Sequence, residues 1–211
     1  MPARDRADVV RRAKALLGRT ITGHGVTVRI TEVEAYGGVE DPASHAFTRT
    51  PRSEIMYGPA YRLYVYRSYG IHFCANVVTG PTEIGAAVLL RSGEVVDGID
   101  LARFRRNHPT RDAQLARGPG NLAQALGITL DDLGADLLAG QPEHPLSEDG
   151  STAVRLGPEP ARRPRTKAGP RVGVSKAADV PWRFWIDGDP TVSAYRRSPR
   201  APVPDHYASG T

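Results

Sequence analysis

A chain of 211 residues has room for one domain or at most two small ones, and 40% apolar content is enough for an ordinary core. Its 22 glycines and 18 prolines argue against a helical bundle, and a single cysteine, Cys74, excludes an internal disulfide and a cysteine-based metal site. The formal charge of +5 favours a polyanionic partner. With no run of the roughly 18 apolar residues a spanning helix needs, and no strongly basic amphipathic helix, no membrane association is expected. Met1 to Arg6 lacks the apolar core of a secretory signal, so a reducing, intracellular setting (cytoplasmic or nucleoid-associated) is expected.

Ala7 to Leu17 carries Val9, Val10, Ala13, Leu16 and Leu17 in a helical stripe, with Asp8 as N-cap and Gly18 as stop. Gly23-His24-Gly25 is a turn, and Val26, Val28 and Ile30 alternate as a half-buried strand. The same parity then becomes Glu32, Glu34 and Tyr36, a face that starts in the core and ends in carboxylates and a phenol. A long loop follows Gly37-Gly38 through His45 to Arg52; loops of that length in a compact domain are functional or disordered. Leu63 to Asn76 reads as a hairpin tipped by Tyr69-Gly70, with Tyr64 and Tyr66 on one face. Ala86 to Arg91 reads as a buried strand ending in a charge, and Asp97 to Arg106 as a helix stopped by His108-Pro109. Leu122 to Leu126 is a short helix closed by Gly127 and preceded by Arg117-Gly118-Pro119-Gly120-Asn121, a weak phosphate-site signal. Residues 140–170 read mostly as loop, Arg171 to Val174 and Trp182 to Ile186 as late strands, and 197–211 as a poorly ordered tail after a single domain spanning 1–196.

Glu34 is a candidate general base; the bland alternative is a solvated strand carboxylate paired with Arg29. His45 lies in a polar loop with no second histidine at metal spacing, so no metal site is expected. Tyr66 and Tyr69 sit three residues apart, at most about 10 Å at strand rise. One ring can then stack on a base while the other fills the gap it left. Arg49, Arg52, Arg62 and Arg67 flank these rings, and cations interleaved with aromatics suit a nucleic-acid surface, or else are scattered surface charge.

Taken together, Glu32-Val33-Glu34-Ala35-Tyr36, Glu40 to His45, Thr50-Pro51-Arg52 and Tyr64 to Gly70 resemble the alkyladenine (3-methyladenine) DNA glycosylase family. The resemblance continues through Phe73 to Asn76, Val88 to Arg91, Gly118 to Leu122 and Arg171 to Val174, from about Arg11 to Arg196. It implies a mixed α/β single domain with a curved antiparallel sheet, flanking helices and a protruding hairpin, needing no cofactor or metal. It implies removal of alkylated or deaminated purines (3-methyladenine, 7-methylguanine, hypoxanthine) from double-stranded DNA by a monomer. By position, Glu34 matches the base that activates water, and Arg91 the arginine that helps hold that water. Tyr36, His45 and Tyr66 match the walls around an extruded base, Asn76 the obstruction to guanine's 2-amino group, and Val174 a segment whose backbone lines the site. Tyr69 matches the side chain that replaces the base in the stack. Ser68 and His72 depart from the larger apolar or aromatic residues expected beside that wedge. Lys14, Lys167 and Lys176 all lie outside the motif stretch, so simple hydrolysis rather than lyase chemistry is expected.

Two other classes compete. A non-catalytic nucleic-acid-binding module explains the charge and the rings but gives Glu34 no task. A metal-dependent nuclease needs a denser acidic cluster than this chain carries.

Overall fold

Val9, Ala13, Leu16 and Leu17 are buried at helical spacing, and they seat the helix α1 (Ala3–Leu16) on the sheet. In this computed structural model, which describes residues 3–107, 111–140 and 154–203, α1 starts before Asp8. Asp8 is therefore no N-cap: its carboxylate accepts from Arg12 Nε at 2.7 Å and also pairs with Arg11. Gly18, at φ 84°, ends the helix as expected.

The strands are β1 (Thr20–Gly23), β2 (Val26–Tyr36), β3 (Leu63–Ser68), β4 (His72–Val78), β5 (Ala87–Asp97), β6 (Ala116–Arg117), β7 (Val154–Leu156), β8 (Thr166–Gly169) and β9 (Arg183–Ile186). With α2 (Ile99–Arg106) and α3 (Pro119–Leu126) they form a mixed α/β single domain around one curled antiparallel sheet. The main path runs β3-β4-β5-β2-β1-β7, with β6 on β5 and the β8–β9 ribbon joined through β9 to β2.

Strand β2 is the spine. It pairs with β5 along one side; along the other it pairs first with β1, at Val26 to Arg29, and then with β9, at Glu32 to Glu34. The registers with β5 jump around Ile30, Glu32 and Val33, leaving Thr31 and then Arg91 as extra residues. This irregularity changes which face is which. Core packing runs through Val26, Val28 and Ile30 and resumes at Val33 and Ala35, while Glu32, Glu34 and Tyr36 are left for the other face. Gly93 pairs with Ile30 beside this irregularity, where a Cβ would fall 2.2 Å from Val28 Cγ1.

The main core lies between the sheet and the helices α1 and α3, with Leu63, Val65, Val77, Val88 and Leu90 supplied by the strands. A second, smaller cluster of Ala46, Met56, Tyr57, Tyr64, Val78 and Ala87, with Tyr66 against it, covers the opposite face. The functional candidates belong to that second face.

Several boundaries differ from expectation. Strand β5 continues to Asp97, so Arg91 lies mid-strand and buried rather than at a strand end. Helix α3 starts at Pro119, which takes the first turn where no N–H partner is needed. Arg171 to Val174 is irregular, and the ladder lies just before it, in β8. Strands β1, β6, β7 and β8 were too short or too polar to show an alternating pattern. Helix α2 closes on Asn107 at φ 46°; His108-Pro109, residues 141–153 of the expected loop and 204–211 of the expected tail lie outside the described residues. Within the described part of the tail, Arg197 pairs with Asp179 at 2.6 Å.

Candidate active site

The loop after β2 is fixed by its own polar side chains. Asp41 accepts from the Gly37 N–H at 3.0 Å and the Ala43 N–H at 3.1 Å, as short acidic side chains do in turns. It also receives both terminal nitrogens of Arg171, at 2.6 and 2.9 Å. Ser44 Oγ caps the next helical turn by accepting from the Ala46 N–H at 3.1 Å, and Tyr57 Oη bonds the Ala46 carbonyl at 2.7 Å. That turn presents His45.

His45 Nδ1 and the Tyr64 hydroxyl are 2.9 Å apart, and the His45 ring stands edge-on to Tyr66, with centroids separated by 4.6 Å. The residue as a whole is exposed, yet its imidazole is packed against Tyr64 and Tyr66, and that burial, followed by the nearby Arg52 charge, lowers its pKa to about 4. His45 is thus neutral at pH 7. Burial, and then the neighbouring Cys74, push the Tyr66 phenol well up from its ordinary value, so it stays uncharged as well.

Tyr36, Ala43, His45, Met56, Tyr64, Tyr66, Asn76 and Ala87 together line a cavity of about 70 Å³. Asn76 donates its amide to the Tyr64 carbonyl at 3.0 Å, which locks the side chain across the β3–β4 pair. The three wall residues named from sequence, Tyr36, His45 and Tyr66, therefore meet around one space, with Asn76 among them.

Glu34 lies behind Tyr36, fully buried. Oε2 accepts from the Tyr36 hydroxyl at 2.8 Å and Oε1 from the Val172 N–H at 2.7 Å, while Arg91 Nη1 stands 3.3 Å from Oε1. Burial and the adjacent Glu34 hold the Tyr36 pKa well above its ordinary value, so Tyr36 remains a donor. Arg29 does not pair with Glu34; it binds Glu94 and Asp189. The segment from Arg171 to Val174 reaches Glu34 through its backbone. The contact comes from Val172, two residues before the expected Val174.

Arg91 is held from behind by Glu32, a second buried carboxylate. Glu32 accepts from Arg91 Nε at 2.9 Å, Arg183 Nε at 2.6 Å, Ser92 Oγ at 2.8 Å, and the Ser193 N–H and hydroxyl at 2.7 and 2.9 Å. Burial works against its charge, but Arg91 and Arg183 outweigh it and hold the Glu32 carboxyl below the usual range. Sequence reading placed Glu32 on the Glu34 face but missed Arg183, Ser193, Asp41 and Arg171. The available signal was charge balance: two carboxylates inside a sheet require arginines, and the only nearby cation in sequence, Arg29, points elsewhere.

Tyr69 stands apart, 86% exposed at the β3–β4 tip. Tyr69 and Gly70 have φ of 49° and 69°, and the Ile71 N–H closes on the Ser68 carbonyl at 3.0 Å, as a tight hairpin turn of this hand requires. None of the lysines reaches the cavity: Lys14 lies over Phe184, Lys167 pairs with Asp187, and Lys176 lies over Phe47. At the N-terminus of α3, the Gly118 N–H is already used by Ser92 Oγ at 2.9 Å, which adds nothing to the phosphate signal. No helix among the described residues is long and apolar enough to cross a membrane.

Comparison with known proteins gives consistent matches. The model of the family described as methylpurine-DNA glycosylase (MPG) matches residues 3–190. A protein of Rhodococcus jostii, named "Putative 3-methyladenine DNA glycosylase", is 52% identical over 202 residues, covering 93% of this chain and 85% of that protein. Proteins carrying the same name from Mycobacterium tuberculosis (strain H37Rv) and Nocardia farcinica are 52% and 53% identical, covering 93% and 90% of this chain and 94% and 88% of theirs.

Proposed function

The chain belongs to the methylpurine-DNA glycosylase family and is a DNA glycosylase, and we propose that it acts alone on duplex DNA, extruding and hydrolytically removing alkylated or deaminated purines. The observation that carries this reading is the coupling of Glu34 to the cleft wall through the 2.8 Å bond from Tyr36. A carboxylate has about four acceptor positions. Val172 and Tyr36 occupy two and Arg91 Nη1 stands 3.3 Å away, which leaves acceptor capacity that in this reading takes the attacking water.

In this reading, Glu34 takes the proton of that water as it attacks the anomeric carbon, and its charge stabilises the oxocarbenium-like sugar. Arg91, 3.3 Å from Glu34 Oε1, has N–H groups left to orient the water. A base inside a duplex hides its glycosidic bond, so the nucleotide must leave the stack at a cost of a few kcal/mol. Stacking against aromatic side chains returns about 1–3 kcal/mol per base, which Tyr36, His45 and Tyr66 would supply. Asn76, fixed by its bond to Tyr64, would crowd the 2-amino group of guanine. Tyr69, exposed at the hairpin tip, would occupy the vacated stack.

With lysines paired or stacked elsewhere, the product is an abasic site without strand cleavage. The test is incubation with hypoxanthine- or 3-methyladenine-containing duplex in chelator. Release of free base from an intact strand supports the proposal. Direct strand breaks or absence of base release would refute it.

A further inference from the structure

Two guanidinium groups cover rings of the cleft: Arg171 lies 4.8 Å from the Tyr36 centroid and Arg52 lies 4.9 Å from that of Tyr66. They are electrically different. Arg171 is buried and doubly bonded to Asp41, so the pair carries no net charge. Arg52 is exposed, and among the described residues no carboxylate forms an ion pair with it. Its loop neighbour Arg49 takes both Glu54, at 2.6 Å, and Glu83. Arg52 is thus, among the described residues, a cation without an ion-pair partner at the edge of the aromatic cleft.

This placement changes what Tyr66 can offer. A ring face attracts a cation through its quadrupole, but a ring that already carries one cation offers less to a second, and the two cations repel. An alkylated purine such as 7-methylguanine enters as a cation; hypoxanthine enters neutral. Resting on the base-release reading above, we infer that Arg52 biases this cleft toward uncharged lesions and against cationic alkylpurines. The charge also reaches the adjacent wall, where it adds to burial in holding His45 neutral.

The test compares wild type, Arg52→Met and Arg52→Lys. Methionine keeps an apolar stem over Tyr66 without the charge, and lysine keeps the charge. Two quantities are read: the ratio of kcat/KM for 7-methylguanine over hypoxanthine duplexes, and the His45 pKa by NMR on the protein alone. Arg52→Met should raise the ratio by about 3- to 10-fold, less at high salt, and should raise the His45 pKa. Arg52→Lys should leave both near wild type. An unmoved His45 pKa in Arg52→Met overturns the inference whatever the activity. So does an unchanged ratio, or a ratio that moves equally in both variants. Failure of the wild type to release either base would instead sink the base-release reading, and this inference with it.

Discussion

The Tyr36 hydroxyl donates to Glu34 Oε2 at 2.8 Å from two residues along the same strand, so the ring that walls the cleft also holds the carboxylate behind it. The bulged register of β2 against β5 puts both side chains on the face away from the helices. Tyr36→Phe keeps the wall and removes the donor. A bond to a charged group is worth about 1.5–3 kcal/mol, so base release should slow by about 10-fold or more while lesion binding changes little. Single-turnover rates and binding titrations separate the two; an equal loss in both would mean that the ring alone matters. Because Tyr36 is held protonated, no activity should be lost to this group between neutral pH and about pH 9.

Glu32 predicts a stability phenotype. Replacing it with Gln leaves Arg91 and Arg183 buried without their shared anion. Breaking such a network costs about 3–5 kcal/mol, and urea unfolding at pH 7 should show it. The pH dependence follows from the sign of the shift. A carboxyl held below its unfolded value contributes stability that is complete above the unfolded value of 4.5 and is lost as pH falls through the folded one. The gap between wild type and Glu32→Gln should therefore narrow in acid. A gap that is constant down to pH 3 would contradict the assignment.

His45 carries the opposite charge sign. With its pKa lowered from 6.5 to about 4, the folded protein binds this proton less readily than the unfolded chain does. Its contribution is present above pH 6.5 and is lost as pH falls from there toward 4. Wild type should lose more stability between pH 7.5 and pH 5 than His45→Asn, measured by denaturant midpoints. Parallel losses would show that the imidazole is not depressed.

Tyr69 is exposed and packs on nothing that would suffer from its removal. Tyr69→Ala should unfold within about 0.5 kcal/mol of wild type yet weaken base extrusion, read by a fluorescent base opposite the lesion. An unchanged extrusion equilibrium would remove Tyr69 from the mechanism.

Much of this was legible in the chain because it is local. The hairpin follows from alternation around Tyr69-Gly70, and the common face of Glu32, Glu34 and Tyr36 follows from strand periodicity. The reason for that face was not legible. Sequence parity suggests a core stripe turning polar, whereas the extra residues Thr31 and Arg91 shift the phase and keep Val33 and Ala35 in the core. The partners that hold the site also escaped notice, since Arg171 meets Asp41 and Arg183 meets Glu32 across more than a hundred residues. No local pattern encodes such long-range pairing. The short ladders β1, β6 and β8 exist because β2, β5 and β9 supply the pairing that their own sequences do not specify.

The most direct measurement is single-turnover base release by Glu34→Gln on hypoxanthine duplex, with binding of the same duplex measured in parallel. A positioned base contributes about 10²–10⁴ in rate, so release should fall by that span while lesion binding largely survives. Release near the wild-type rate would show that the buried carboxylate behind Tyr36 is structural and that the attacking water is activated elsewhere.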